Sequence, residues 1–120
     1  MKHVVIFARR PQLGRVKARL AADIGPVETL WFYRSTLSAV ARRLSAGQSW
    51  TTWIGVTPDE THRKSRLYPR GVGRLPQGGG DLGARMARCL TRFGPSPALI
   101  VGSDIPDIDR RHIEAAFAAL

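Results

Sequence analysis

Apolar positions in this chain alternate between short continuous runs and longer stretches of helical spacing. The run His3-Val4-Val5-Ile6-Phe7-Ala8 is rich in β-branched residues, as in a strand buried on both faces of a parallel sheet. It breaks into a loop marked by Pro11 and Gly14. From Val27 to about Ala46, apolar residues recur at Leu30, Leu37, Val40, Ala41 and Leu44, which predicts one amphipathic helix stopped by Gly47. Trp50 to Val56 predicts a second strand, closed by Thr57-Pro58-Asp59, and a polar helix is expected from about Asp59 to Leu67. Val72 to Leu75 reads as a third strand. A glycine-rich turn follows, and then a helix with Leu82, Met86, Cys89, Leu90 and Phe93 on one face. After Gly94-Pro95-Ser96-Pro97, the run Ala98–Gly102 predicts a fourth strand, and a last helix is expected from about Asp109 to Leu120.

Strand and helix alternate without repeats or a low-complexity linker. That order predicts an α/β fold, with an open, mostly parallel, Rossmann-like sheet and helices on both faces, spanning residues 1–120 as a single domain. Right-handed crossovers would bring three loops to the carboxyl edge of the sheet, where ligands of such folds sit. These are the loops after Ala8, after Leu75 and after Gly102.

Composition narrows the classes. The chain has 120 residues, 43% apolar and 23% charged, as in an ordinary globular protein. It has no run of about 18 apolar residues, so no membrane span is expected. Its single cysteine, Cys89, cannot form an internal disulfide, which suits a cytoplasmic location. The formal charge of +10 favours anionic partners. The arginines are nevertheless spread along the chain, and Trp31, Trp50 and Trp53 all fall in expected core elements. Both features argue against a nucleic-acid binder.

Each of the three loops carries candidate chemistry. Arg15, Lys17 and Arg19 alternate, so an extended segment would offer one cationic face to phosphate, although a solvated charged loop has the same spacing. In Pro76-Gln77-Gly78-Gly79-Gly80-Asp81-Leu82-Gly83-Ala84-Arg85, glycines ahead of a helix let backbone N–H groups approach an anion or a base edge. Asp81 stands where an N-cap belongs, and Arg85 could pair with it or reach a phosphate. Asp104 ends the fourth strand and Asp107 follows across Pro106, a pair suited to Mg²⁺ or Mn²⁺ bridging a diphosphate. Asp109 is better placed to cap the last helix. A dinucleotide-binding Rossmann domain is the alternative: Gly78, Gly80 and Gly83 satisfy G-x-G-x-x-G, and Asp104 lies about twenty residues on. However, the fingerprint follows the third strand, not the first.

Taken together, Phe7 to Ala21, Leu75 to Met86 and Leu99 to Ile108 give the chain a family resemblance. It resembles the glycosyltransferase-A-like, nucleotide-diphospho-sugar transferase superfamily, and within it the bacterial group called selenodomain-associated transferases. The resemblance implies a transferase of glycosyl or nucleotidyl groups, binding a nucleotide sugar or nucleoside triphosphate. Ala8, Arg9, Gly14, Lys17 and Arg19 would contact the nucleotide, chiefly its phosphates. Gln77, Gly78 and Gly79 would lie near base and ribose, with Asp81 and Arg85 supporting that loop. Asp104 would hold the metal, and Lys17 and Asp104 would carry the catalytic charge. Members of the superfamily continue past this point with a further strand and a loop rich in Asp and Gly. The nucleotide-binding half is thus expected here without the acceptor half, which leaves a non-catalytic nucleotide-binding remnant as an alternative. An uncovered strand edge would favour a homo-oligomer.

Overall fold

A computed structural model of the chain describes residues 2–9, 22, 24–45, 49–57, 72–103 and 108–120. In chain order these form β1 (Lys2–Arg9), α1 (Pro26–Ser45), β2 (Trp50–Thr57), β3 (Gly73–Pro76), α2 (Leu82–Arg92), β4 (Ala98–Gly102) and α3 (Arg110–Ala119). The four strands make one open sheet in the order β3-β2-β1-β4, and all three pairings are parallel. The α/β class is as expected from the pattern of the chain, and the element bounds lie within one or two residues of expectation. The helix expected at about 59–67 lies outside the described residues.

Alternation along β1 sends its residues to two cores. Val4, Ile6 and Ala8 face one side with Ile54 and Val56 of β2. Leu37, Val40, Ala41 and Leu44 of α1 and Ile113 and Phe117 of α3 cover them. Leu37, Leu44 and Ile54 are fully or almost fully buried, and each such side chain contributes about 1.5–3 kcal/mol of transfer free energy. Val5 faces the other side with Leu75 and Cys89, flanked by Phe7, Trp53, Phe93 and Ile100. Among the described residues, two helices therefore cover one face and α2 covers the other. The end of α1 is tied to the start of β2, because Trp50 Nε1 and Thr52 Oγ1 both donate to the Leu44 carbonyl, at 2.9 and 3.0 Å.

Two expectations about burial need correction. Trp31, placed in a core element by its helix, is 68% exposed, so it adds nothing to the case against nucleic acid; Trp50 is buried and Trp53 packs against the smaller core. The buried stripe of α1 runs through Tyr33, Leu37, Val40 and Leu44, and Trp31 lies on the opposite side. In α2 only Cys89 is buried, while Leu82, Met86 and Leu90 are exposed. That helix turns Cys89 to the sheet and Arg85 and Arg88 to the preceding loop, leaving the other apolar positions exposed.

Strand order also locates the carboxyl-edge crevice. From β1 the chain passes to β2 and β3 on one side, then returns to place β4 on the other side of β1. The ends of β1 and β4 thus flank the point where connections diverge, the usual ligand position in open α/β sheets. Phe7 pairs with Gly102 there, so the loops after β1 and β4 start from neighbouring strand ends.

Candidate functional site

The glycine loop leaves β3 still bound to the sheet, because the Gln77 N–H donates to the Val56 carbonyl at 3.0 Å. The Gln77 side chain is 5% exposed. Its Nε2 donates to the Gly55 carbonyl at 2.8 Å and to the Ala8 carbonyl at 3.3 Å. Neighbouring strands lie about 4.8 Å apart, so this one side chain crosses β2 to reach β1. A loop rooted on the edge strand is thereby tethered to the end of the strand at the crevice.

Beyond Gln77 the backbone turns through Gly78 and Gly80, at φ of +83° and +94°, conformations that any side chain would strain. Helix α2 holds this turn from behind. Arg88 Nη1 donates to the carbonyls of Gln77 and Gly79 at 3.0 and 2.9 Å, and Arg85 Nε donates to that of Gly80 at 2.9 Å. Asp81, in extended conformation, accepts from the Ala84 N–H at 2.8 Å and is the N-cap of α2. Arg85 makes no ion pair with Asp81. A trans peptide sets its N–H opposite its C=O. With the carbonyls of Gly79 and Gly80 drawn toward α2, the N–H groups of Gly80 and Asp81 are directed away from it.

Among the candidate residues, the structure brings Ala8 and Gln77 into contact and gathers Gly78, Gly79, Asp81 and Arg85 around one turn. Arg9 is the last residue of β1, not the first of a loop. Gly14, Lys17, Arg19, Asp104 and Asp107 lie outside the described residues. Of the carboxylates after β4, Asp109 is committed elsewhere. It caps α3, accepts from the Arg111 N–H at 2.9 Å and pairs with the Arg111 guanidinium at 3.2 Å, while His112 Nδ1 accepts its N–H to close a capping box. Hydrogen bonding from Arg111 holds the Asp109 carboxyl below the usual carboxylate range. No cluster of three metal-ligating side chains occurs among the described residues. Cys89 is buried, and burial pushes its thiol pKa up against a smaller opposing effect of Arg92, which suits packing and not nucleophilic chemistry.

Arg88 escaped the reading of the sequence. The available signal was its spacing of three from Arg85 on a helix that opens directly after the glycines, but a chain of sixteen arginines hides such a pair.

The bacterial family DUF2064, described as an uncharacterized protein conserved in bacteria, matches residues 39–120, more than half of the chain. The chain belongs to this family. The DUF2064 match begins within α1 and takes in the glycine loop, α2, β4 and α3. Among solved structures, a crystal structure from Desulfovibrio desulfuricans G20, provisionally named a nucleotide-diphospho-sugar transferase, superposes with a TM-score of 0.86 at 24% identity. The match covers 98% of this chain and 53% of that one, so this DUF2064 chain spans about half the length of its structural neighbour. The likeness shows that this chain has the fold of that structure. No curated protein matches the sequence. Among the described residues, no helix is long and apolar enough to cross a membrane.

Proposed function

We propose that the chain binds a nucleotide sugar or nucleoside triphosphate at the carboxyl edge of its sheet and serves a metal-dependent transfer of a glycosyl or nucleotidyl group. The observation that supports this most is the Gln77 tether, which draws the glycine loop across β2 to the end of β1. The loop after β4, carrying Asp104 and Asp107, begins at the neighbouring strand end. In this reading the cationic segment with Arg15, Lys17 and Arg19 meets the phosphates, and the outward N–H groups of the glycine loop meet an acceptor on the nucleotide. Asp104 and Asp107 would hold Mg²⁺ or Mn²⁺, which supplies positive charge to a diphosphate as a bond to it or to the sugar breaks. Lys17 would stabilise the same developing charge.

Titration calorimetry with UDP-, GDP- and CDP-linked sugars and the matching triphosphates, with and without Mn²⁺, tests the proposal. Metal-dependent binding of at least one ligand is expected, weakened in Asp104→Ala. A chain that binds none of them has only the fold in common with its neighbour.

A further inference from the structure

We propose that Gln77 and Arg88 are a coupled pair of positioning residues that set how far the glycine loop stands from the end of β1 and which way its N–H groups point. The ligand half of this inference rests on the nucleotide-binding reading, while the structural half does not.

Donor accounting excludes a direct ligand contact through the atoms that hold the loop. A carboxamide nitrogen has two hydrogens, and Gln77 Nε2 places them on the Gly55 and Ala8 carbonyls. A guanidinium Nη also has two, and Arg88 Nη1 places them on the Gln77 and Gly79 carbonyls. Both nitrogens are spent on backbone. Arg88 has no carboxylate partner among the described residues, and its charge strengthens those two bonds. The connections form one path from α2 through Arg88 to the Gln77 backbone, then through the Gln77 amide to β2 and β1.

Gly78 belongs to the same device. A Cβ there would stand 2.1 Å from Arg88 Nη1 and 2.8 Å from its Cζ, so the guanidinium occupies the space that any side chain would take. Gly79, one residue on, has nothing within 4 Å of such a Cβ. The space beside Gly79 is therefore open, and the space beside Gly78 is filled by Arg88. Fixing the carbonyls of Gln77 and Gly79 fixes the two peptide planes on either side of Gly78 and Gly79, and with the second of them the direction of the Gly80 N–H. A ligand acceptor would then meet a donor that needs no reorientation on binding.

The test compares Arg88→Ala and Arg88→Lys with Arg92→Ala, which removes the same charge from α2 at a position with no bond to the loop. Amide hydrogen exchange of Gln77, at the root of the loop, whose N–H donates to the Val56 carbonyl, is followed as loop exchange together with the urea midpoint and with the affinity for UDP, GDP and CDP in the presence of Mn²⁺. In Arg88→Ala, loop exchange is expected to quicken and affinity for the nucleotide that binds the wild type to fall, each by about tenfold, the order expected for hydrogen bonds from a charged donor. The midpoint should stay near that of the wild type, because Arg88 is exposed and outside both cores. Arg88→Lys, or low concentrations of guanidinium added to Arg88→Ala, should restore slow exchange in part. Unchanged loop exchange in Arg88→Ala overturns the proposal, as does faster exchange that merely follows global unfolding. An equal loss of affinity in Arg92→Ala would assign the effect to charge alone and also overturn it. If no nucleotide binds the wild type, the ligand reading fails, and the exchange and rescue data still decide the positioning role.

Discussion

Replacing Gln77 by leucine tests the contribution of its amide, because leucine, one bond shorter but of comparable volume, has no donor and suits a site that is 5% exposed. The substitution removes the donor of the 2.8 Å bond to the Gly55 carbonyl and of the longer 3.3 Å bond to the Ala8 carbonyl. Leaving a buried acceptor without its partner costs about 1–3 kcal/mol, and the longer bond contributes the smaller share, giving a gross loss of about 2–4 kcal/mol. Better burial of leucine offsets about 1 kcal/mol of this, so the net loss should be about 1–3 kcal/mol. For a domain of this length that lowers the thermal midpoint by about 4–12 °C. Urea denaturation followed by circular dichroism measures the free energy directly, with the slope expected to be unchanged. Gln77→Glu sharpens the test. A carboxylate facing two carbonyls should be less stable than leucine at neutral pH, and should recover in acid as it protonates and regains a donor, because burial raises the folded pKa of such a carboxyl. If Gln77→Leu is as stable as the wild type within about 0.5 kcal/mol, the amide does not hold the strand ends together, and the tether argument fails.

Glycine substitutions should separate the loop's two faces. Gly78→Ala combines positive φ with displacement of Arg88 and should cost more than about 1 kcal/mol, whereas Gly79→Ala should change stability by less than about 0.5 kcal/mol; thermal melts of both decide it. Asp81→Ala removes the N-cap of α2 and should cost about 1 kcal/mol, with Asp81→Asn retaining most of it in the same melts. His3 gives a pH-dependent signature. Its Nδ1 accepts from Trp53 Nε1 at 3.2 Å and its ring stacks on Phe93 at 4.1 Å, which requires an unprotonated Nδ1. Burial, with a smaller effect of the chain's amino-terminal charge, lowers its pKa below the ordinary 6.5. The unfolded chain therefore takes up a proton first as pH falls. The His3 contribution is complete above pH 6.5 and is lost as pH drops toward the lowered folded pKa. Urea midpoints of wild type and His3→Gln should converge in mild acid, and parallel curves would refute the assignment.

The sheet was legible because parallel strands covered on both faces leave continuous apolar runs rich in branched residues, as at Val4–Ala8 and Ala98–Val101, although β4 is only half-buried. The two caps were legible for a similar local reason. Asp81 and Asp109 each stand immediately before an apolar-periodic stretch, and each accepts from the first turn of its helix. The exposure of Trp31 was not legible, since helical spacing shows that a stripe exists but not how far other elements cover its neighbours. The same holds for Leu82, Met86 and Leu90, whose helix is oriented as much by Arg85 and Arg88 gripping the loop as by Cys89 on the sheet. Gln77 could be picked out as a site residue from sequence, but the direction of its amide depends on three strands meeting beside it, a long-range fact that no local pattern carries. For Lys17 and Asp104 the topology gives the strand ends from which their loops depart, and the chemistry assigned to them is a proposal.

Paramagnetic broadening by Mn²⁺ with a bound nucleotide diphosphate tests most directly whether the three loops surround one ligand. Amide signals should broaden together in residues 10–21, 78–81 and 103–107, with Lys17 and Asp104 among them. Lys2, Trp50 and Ala98 at the opposite edge of the sheet should stay sharp. Broadening confined to one loop, or centred on the amino edge near Lys2 and Ala98, would contradict the account.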